Sequence, residues 1–169
     1  RGMTQAALVT GGRRGIGKAI ALALADQGFD VAVADVVASD ELSAVAAEIA
    51  ARGRKSAAIA ADIGAIGAHD AVLDQAEAAL GPLTTLVNNA GVSVLNRGDL
   101  LDVSPESYDR CLAVNTRGTF FLTQAFARRL LKNPSTAHRS IVTVSSANAV
   151  APSIARQPGR ASRMCNWPA

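Results

Sequence analysis

Two cysteines in 169 residues, Cys111 and Cys165, cannot build a disulfide framework. Neither stands at C-x-x-C or metal-ligand spacing from a partner, so a reducing compartment, the cytoplasm, is the expectation. Histidine is as scarce: His69 and His138 are too far apart in sequence to suggest a metal centre, and no metal is expected. Aromatic residues are only 4% of the chain, which argues against a sandwich core full of rings. No apolar run approaches the roughly 18 residues of a membrane span, and no charged-then-apolar leader opens the chain, so a membrane is not an expected partner. A dense basic run is also missing. The net charge is +3 and the pI is near 9.3, but the basic residues are spread from Arg13 to Arg163, so nucleic acid is not expected as a partner either.

What is present is apolar and small. Hydrophobic residues make up 49% of the chain and glycines number 14, which suits one soluble domain with a sizeable core, tight turns and closely packed helices. Arg1 and Gly2 precede Met3, the expected start, and are set aside from the fold reasoning.

One alternation runs along the chain. Ala6 to Thr10 is a short apolar run ending at Gly11-Gly12, and Gly17 to Gln27 then carries apolar residues at helical spacing until Gly28. Val31 to Ala34 is the next strand, and Ser39 or Asp40 can cap a helix whose Leu42, Val45, Ala46 and Ile49 share a face. Ser56–Ala61 and Ala68–Leu80 repeat the unit, closed by Gly81-Pro82. Leu83–Asn88 is the fourth strand. Ser104-Pro105-Glu106 opens a fourth helix running to about Leu131, and Ser140–Ser145 is the fifth strand. Strands alternating with helices predict an α/β, doubly wound parallel sheet of Rossmann-like, three-layer αβα form, ending after the fifth strand.

The chemistry begins at Thr10-Gly11-Gly12-Arg13-Arg14-Gly15-Ile16-Gly17. Glycines let the backbone turn sharply and approach a ligand, while the helix that follows offers free N–H groups and a positive dipole to a pyrophosphate. Two nucleotide folds compete for this turn. Gly12-x-x-x-x-Gly17-Lys18 fits most of a P-loop, but residue 19 is alanine, so the hydroxyl that would ligate magnesium is missing. The dinucleotide reading instead requires an acid at the end of the second strand, and Asp35 stands 18 residues after Gly17. Its carboxylate would accept from ribose hydroxyls and repel a 2′-phosphate, which favours NAD over NADP. Arg13 and Arg14 pull the other way, since a guanidinium can hold a 2′-phosphate, contact pyrophosphate or face solvent.

These residues carry a family resemblance. The glycine turn, Asp62-Ile63 after the third strand, Asn88-Asn89-Ala90-Gly91 after the fourth, Asn115 in the fourth helix and Ser145-Ser146 after the fifth strand occur in the order found in short-chain dehydrogenases/reductases. The chain resembles that family over about residues 4–154, and within it the branch of bacterial 3-oxoacyl-acyl-carrier-protein reductases and related alcohol or steroid dehydrogenases. The resemblance implies that Gly11, Arg13, Arg14, Ile16 and Gly17 surround the pyrophosphate and adenosine of NAD, with NADP the alternative, and that Asp35 takes the ribose. It implies that Asp62 and Ile63 flank adenine, and that Asn89, Ala90 and Gly91 line the floor under the nicotinamide ribose. Asn115 would hold a water of a proton relay, and Ser146 would polarise the carbonyl of a small-molecule carbonyl or alcohol substrate. It also implies a homo-oligomer formed through the fourth helix, from about Ser104 to Leu131. Each of these has a plainer alternative: Asp62 can cap a turn, and Asn88-Asn89 can satisfy loop backbone.

The family's tyrosine and lysine would fall at residues 159 and 163, which are Gly159 and Arg163. The sole tyrosine, Tyr108, is followed four residues later by Leu112, and no lysine follows Lys132. Residues 155–169 have neither helical nor strand periodicity where the family would begin a long helix. The expected organisation is therefore a dinucleotide-binding domain at 3–154 and an anomalous tail at 155–169, with a frameshift or a sequencing error near 155–158 as the expected cause. Two functions follow: an NAD(P)-dependent oxidoreductase, or a dinucleotide-binding fragment that cannot protonate a carbonyl.

Overall fold

The computed structural model describes residues 5–95, 100–133 and 137–145. Strands β1 (Ala6–Thr10), β2 (Asp30–Asp35), β3 (Ser56–Ala60), β4 (Thr85–Asn88) and β5 (Ser140–Thr143) form one sheet in the order β3-β2-β1-β4-β5, with every neighbouring pair parallel. Parallel neighbours need crossovers, and the intervening sequences supply helices α1 (Gly15–Asp26), α2 (Asp40–Ala50), α3 (His69–Leu80), α4 (Pro105–Leu112) and α5 (Thr119–Lys132).

The strand sequences explain why both faces are covered. In β1 and β2 successive side chains alternate between two cores, as strand geometry requires. Val9, Val31 and Val33 pack with Ala21 and Ala25 of α1 and with Leu42, Val45 and Ile49 of α2. On the opposite face Leu8, Ala32, Ala34 and Leu86 pack with Leu73 and Ala76 of α3 and with Leu122 and Phe126 of α5. The doubly wound α/β architecture expected from the sequence is thus the one observed. Burying each of the larger side chains contributes roughly 1.5–3 kcal/mol.

The helix ends follow local chemistry. The Ser39 hydroxyl accepts the Leu42 N–H at 3.3 Å to start α2, and Ser104 accepts the Ser107 N–H at 3.3 Å to start α4, with Pro105 at the first helical position. Most spans shift by one or two residues at their ends, β4 starting at Thr85 and β5 ending at Thr143, and two differences bear on the site. Helix α1 begins at Gly15, ahead of the expected Gly17. The expected long fourth helix is divided: α4 and α5 flank a π-helical turn over Ala113–Gly118. Such a wide turn is stabilised by tertiary contacts that reward it, and here it presents Asn115 to the loop after β4.

A side-chain clasp joins α3 to α5. Arg129 bonds to Asp74 at 2.6 Å, Glu77 at 2.9 Å and Asp70 at 3.2 Å. Burial works against the Arg129 charge, but the bonds to Asp74, Glu77 and Asp70 outweigh it and hold its pKa above the ordinary value.

Strand β1 lies between β2 and β4, so the chain winds away from it in opposite directions and leaves a crevice beyond the carboxyl ends of β1 and β4. At the other end of the sheet order β5 is an edge among the described residues, and its Ile141 and Val142 are exposed.

Candidate functional site

A cleft of about 460 Å³ opens at that crevice, lined by Gly11 after β1, Asp35 at the end of β2, Asp62 and Ile63 after β3, and Ala90 and Gly91 after β4. Arg110 of α4 and Val114 of the π turn close the far wall. Residues spread over the first two thirds of the chain are therefore neighbours around one cavity.

The wall beside β1 is glycine by necessity. Gly11 has φ +64°, and a Cβ there would come within 2.8 Å of Ala90 Cα. Gly17, buried in the first turn of α1, backs onto the Gly11 carbonyl so closely that a Cβ would overlap its oxygen and the Asn89 amide. Helix α1 also begins uncapped: Arg14 precedes it without a side-chain hydrogen bond, and no acid stands in its first turn. Its first N–H groups are left as donors for an anion, in contrast to the serine-capped α2 and α4.

Thr10, absent from the sequence-based candidates, organises the two loops. Its buried hydroxyl accepts from the N–H groups of Asn89 and Ala90, both at 3.1 Å, and donates to the Val87 carbonyl at 3.3 Å. The Asn89 amide in turn donates to the carbonyls of Thr10 at 3.0 Å and Gly11 at 3.1 Å. Asn89 therefore lies behind the glycine turn as a brace, while Ala90 and Gly91 line the cleft. A threonine ending an apolar strand reads as an ordinary strand former, so its sequence carried no separate signal.

Charge gathers at the end of β2. Arg13 Nε lies 3.5 Å from Asp35 Oδ1, and the same guanidinium donates from Nη1 to Glu41 in the first turn of α2. The bond to Glu41 raises the Arg13 pKa above its ordinary value, burial opposes it, and the Asp35 charge adds to the rise. Arg14 and Ile16 face solvent at the mouth of the turn. Lys18, which a P-loop would aim at phosphate, is engaged with Glu48 at 2.7 Å.

The loop after β3 is held by its own side chains. Asp62 accepts the Gly64 N–H at 2.8 Å, a local turn of the kind such a residue favours. The Ile63 carbonyl is bonded to Nε2 of the buried His69 at 2.7 Å. Across the cleft, Asn115 grips the Val92 peptide from both sides, accepting its N–H at 2.8 Å and donating to its carbonyl at 2.9 Å. Ser146, the other expected catalytic residue, lies outside the described residues, as do Gly159, Arg163 and the expected tail.

This arrangement fits a dinucleotide: a glycine cradle no side chain could share, free helix N–H groups, and a carboxylate one strand away. Residues 5–164 match the short chain dehydrogenase family. The chain belongs to that family. Among solved structures, this family member is similar to the 3-oxoacyl-[acyl-carrier protein] reductase of Brucella melitensis in complex with NAD, at 42% identity and a TM-score of 0.83, covering 90% of this chain and 60% of that one. A short chain dehydrogenase of Burkholderia cenocepacia in complex with NADP is 39% identical with a TM-score of 0.75, covering 86% and 57%. Versicolorin reductase 1 of Dothistroma septosporum is 40% identical over 139 residues, which are 82% of this chain and 51% of that protein. The chain thus spans about half the length of the curated relatives it matches. Among the described residues no three His, Cys, Asp or Glu side chains are grouped to hold a metal, and no helix is long and apolar enough to cross a membrane.

Proposed function

We propose that this chain is the dinucleotide-binding part of an NAD-dependent, cytoplasmic short-chain dehydrogenase/reductase whose substrate is a carbonyl compound or secondary alcohol. The observation that carries the reading is the joint placement on one cleft of Gly11, backed by Gly17 at the start of α1, and the Asp35 carboxylate. When bound, NAD would supply hydride transfer. The protein's part is to bind and orient it. The first N–H groups of α1 and the backbone at Gly11 would hold the pyrophosphate, Asp35 would accept from the ribose hydroxyls, and Asp62 and Ile63 would bound the adenine. Ala90 and Gly91 would border the nicotinamide ribose, with Asn115 fixing the neighbouring Val92 peptide. Because Asp35 is a carboxylate, a 2′-phosphate would meet like charge there, which supports NAD over NADP.

The similarity to a 3-oxoacyl reductase makes a 3-oxoacyl thioester the first substrate to test. Association through α4 and α5 is supported by the exposed Tyr108, Leu112, Phe120 and Leu131 along those helices.

A second reading, binding without turnover, is favoured by one sequence observation. Gly159 and Arg163 stand where the family resemblance puts a proton-donating tyrosine and the lysine that lowers its pKa. Calorimetric titration with NAD, followed by an assay of a 3-oxoacyl thioester with NADH, separates the two. Binding with turnover supports the enzyme, binding alone supports the second reading, and absence of binding refutes both.

A further inference from the structure

Arg13 is the cation beside Asp35, and what it contacts decides whether it can serve a ligand. Its guanidinium is largely covered, and its Nε is shielded from solvent without a hydrogen-bond partner. Its Nη1 is taken by Glu41, a residue 28 positions away. Glu41 itself is held in place by the start of α2, where the helix dipole favours an acid.

We propose that Glu41 is a specificity-determining residue for the dinucleotide: by occupying the Arg13 guanidinium beside Asp35, it denies that cation to a 2′-phosphate. The inference rests on the proposed binding of a dinucleotide in this cleft. Arg13 with Asp35 and Glu41 forms a cluster of net charge −1. The two ribose hydroxyls of NAD are neutral donors that Asp35 can accept without disturbing the cluster. A 2′-phosphate arrives with a charge of about −2 near neutral pH, meets the net negative cluster, and gains a cation only by breaking the bond from Arg13 to Glu41. Asp35 sets the preference for a hydroxyl, and Glu41 prevents Arg13 from reversing it.

Removing the Glu41 charge leaves Arg13 balanced by Asp35 alone and free to turn toward a phosphate, where a charge-assisted bond becomes available. Glu41 is solvent-exposed, so neither a neutral nor a cationic replacement buries an unpaired charge.

The test is calorimetric titration of the full chain with NAD and with NADP, for the wild type, Glu41→Gln and Glu41→Lys. The expected result is NAD affinity changed little, with the ratio of NADP to NAD affinity raised about tenfold by Glu41→Gln and further by Glu41→Lys. The gain for NADP should shrink as salt is added, which a merely structural effect of the substitution would not do. A ratio unchanged in Glu41→Lys while the wild type binds NAD overturns the role of Glu41 and leaves the dinucleotide reading standing. A wild type that binds neither dinucleotide overturns both.

Discussion

Gly17 lies directly against the Gly11 carbonyl, so the first turn of α1 and the turn after β1 share space that a side chain would fill. The glycine spacing is therefore a packing requirement as much as a means of ligand approach. Gly17→Ala must push α1 away from β1. Overpacking of this kind costs about 1–3 kcal/mol, and for a chain of this size each kcal/mol lowers Tm by roughly 2–4 °C. Thermal denaturation should show that drop, and an unchanged Tm would mean that the close approach is not rigid.

Thr10→Val keeps the shape of the side chain but removes the hydroxyl that the Asn89 and Ala90 N–H groups share. Leaving buried donors unpaired costs about 1–3 kcal/mol. Urea denaturation should register this loss, and Thr10→Ser should recover most of it. A valine variant as stable as the wild type beside a destabilised serine variant would point to the methyl group instead.

His69→Leu removes the partner of the Ile63 carbonyl on the wall of the cleft. Because the altered loop also carries Asp62, the substitution should weaken NAD binding several-fold as well as lower stability. Calorimetric titration at a temperature where the variant remains folded distinguishes the two effects. Wild-type affinity in a destabilised protein would confine His69 to a structural role.

Glu106 stands in the first turn of α4, where its own backbone N–H and then the Ser104 hydroxyl hold its pKa below the ordinary value. A lowered folded-state pKa means stability that is present above the unfolded value and lost as pH falls through the folded one. Glu106→Gln should therefore melt below the wild type at neutral pH and converge with it in acid. Parallel Tm curves across that range would contradict the assignment.

Local signals made much of the fold legible. β1 was bounded by the apolar run and Gly11-Gly12, and the starts of α2 and α4 by Ser39 and by Ser104-Pro105, because strand patterning and capping depend on adjacent residues. The π turn at Ala113–Gly118 was not legible, since every residue in it is tolerated in an ordinary helix and the widening is stabilised by Asn115 reaching Val92 across the cleft. Of the site, the residues announced by glycine or by a strand-end acid could be read from the sequence. Thr10 and Glu41 could not. Their roles depend on partners such as Asn89 and Arg13, placed beside them only when the sheet assembles and α2 docks.

In the proposed function, the cleft beyond the carboxyl ends of β1 and β4 receives NAD against Asp35. Calorimetric titration of the chain with NAD, repeated with Asp35→Ala, tests it most directly. Saturable binding of one NAD per chain is expected, stronger than that of NADP, with the preference narrowed or reversed in Asp35→Ala. No heat of binding from either dinucleotide, or a preference unaffected by the loss of Asp35, would contradict it.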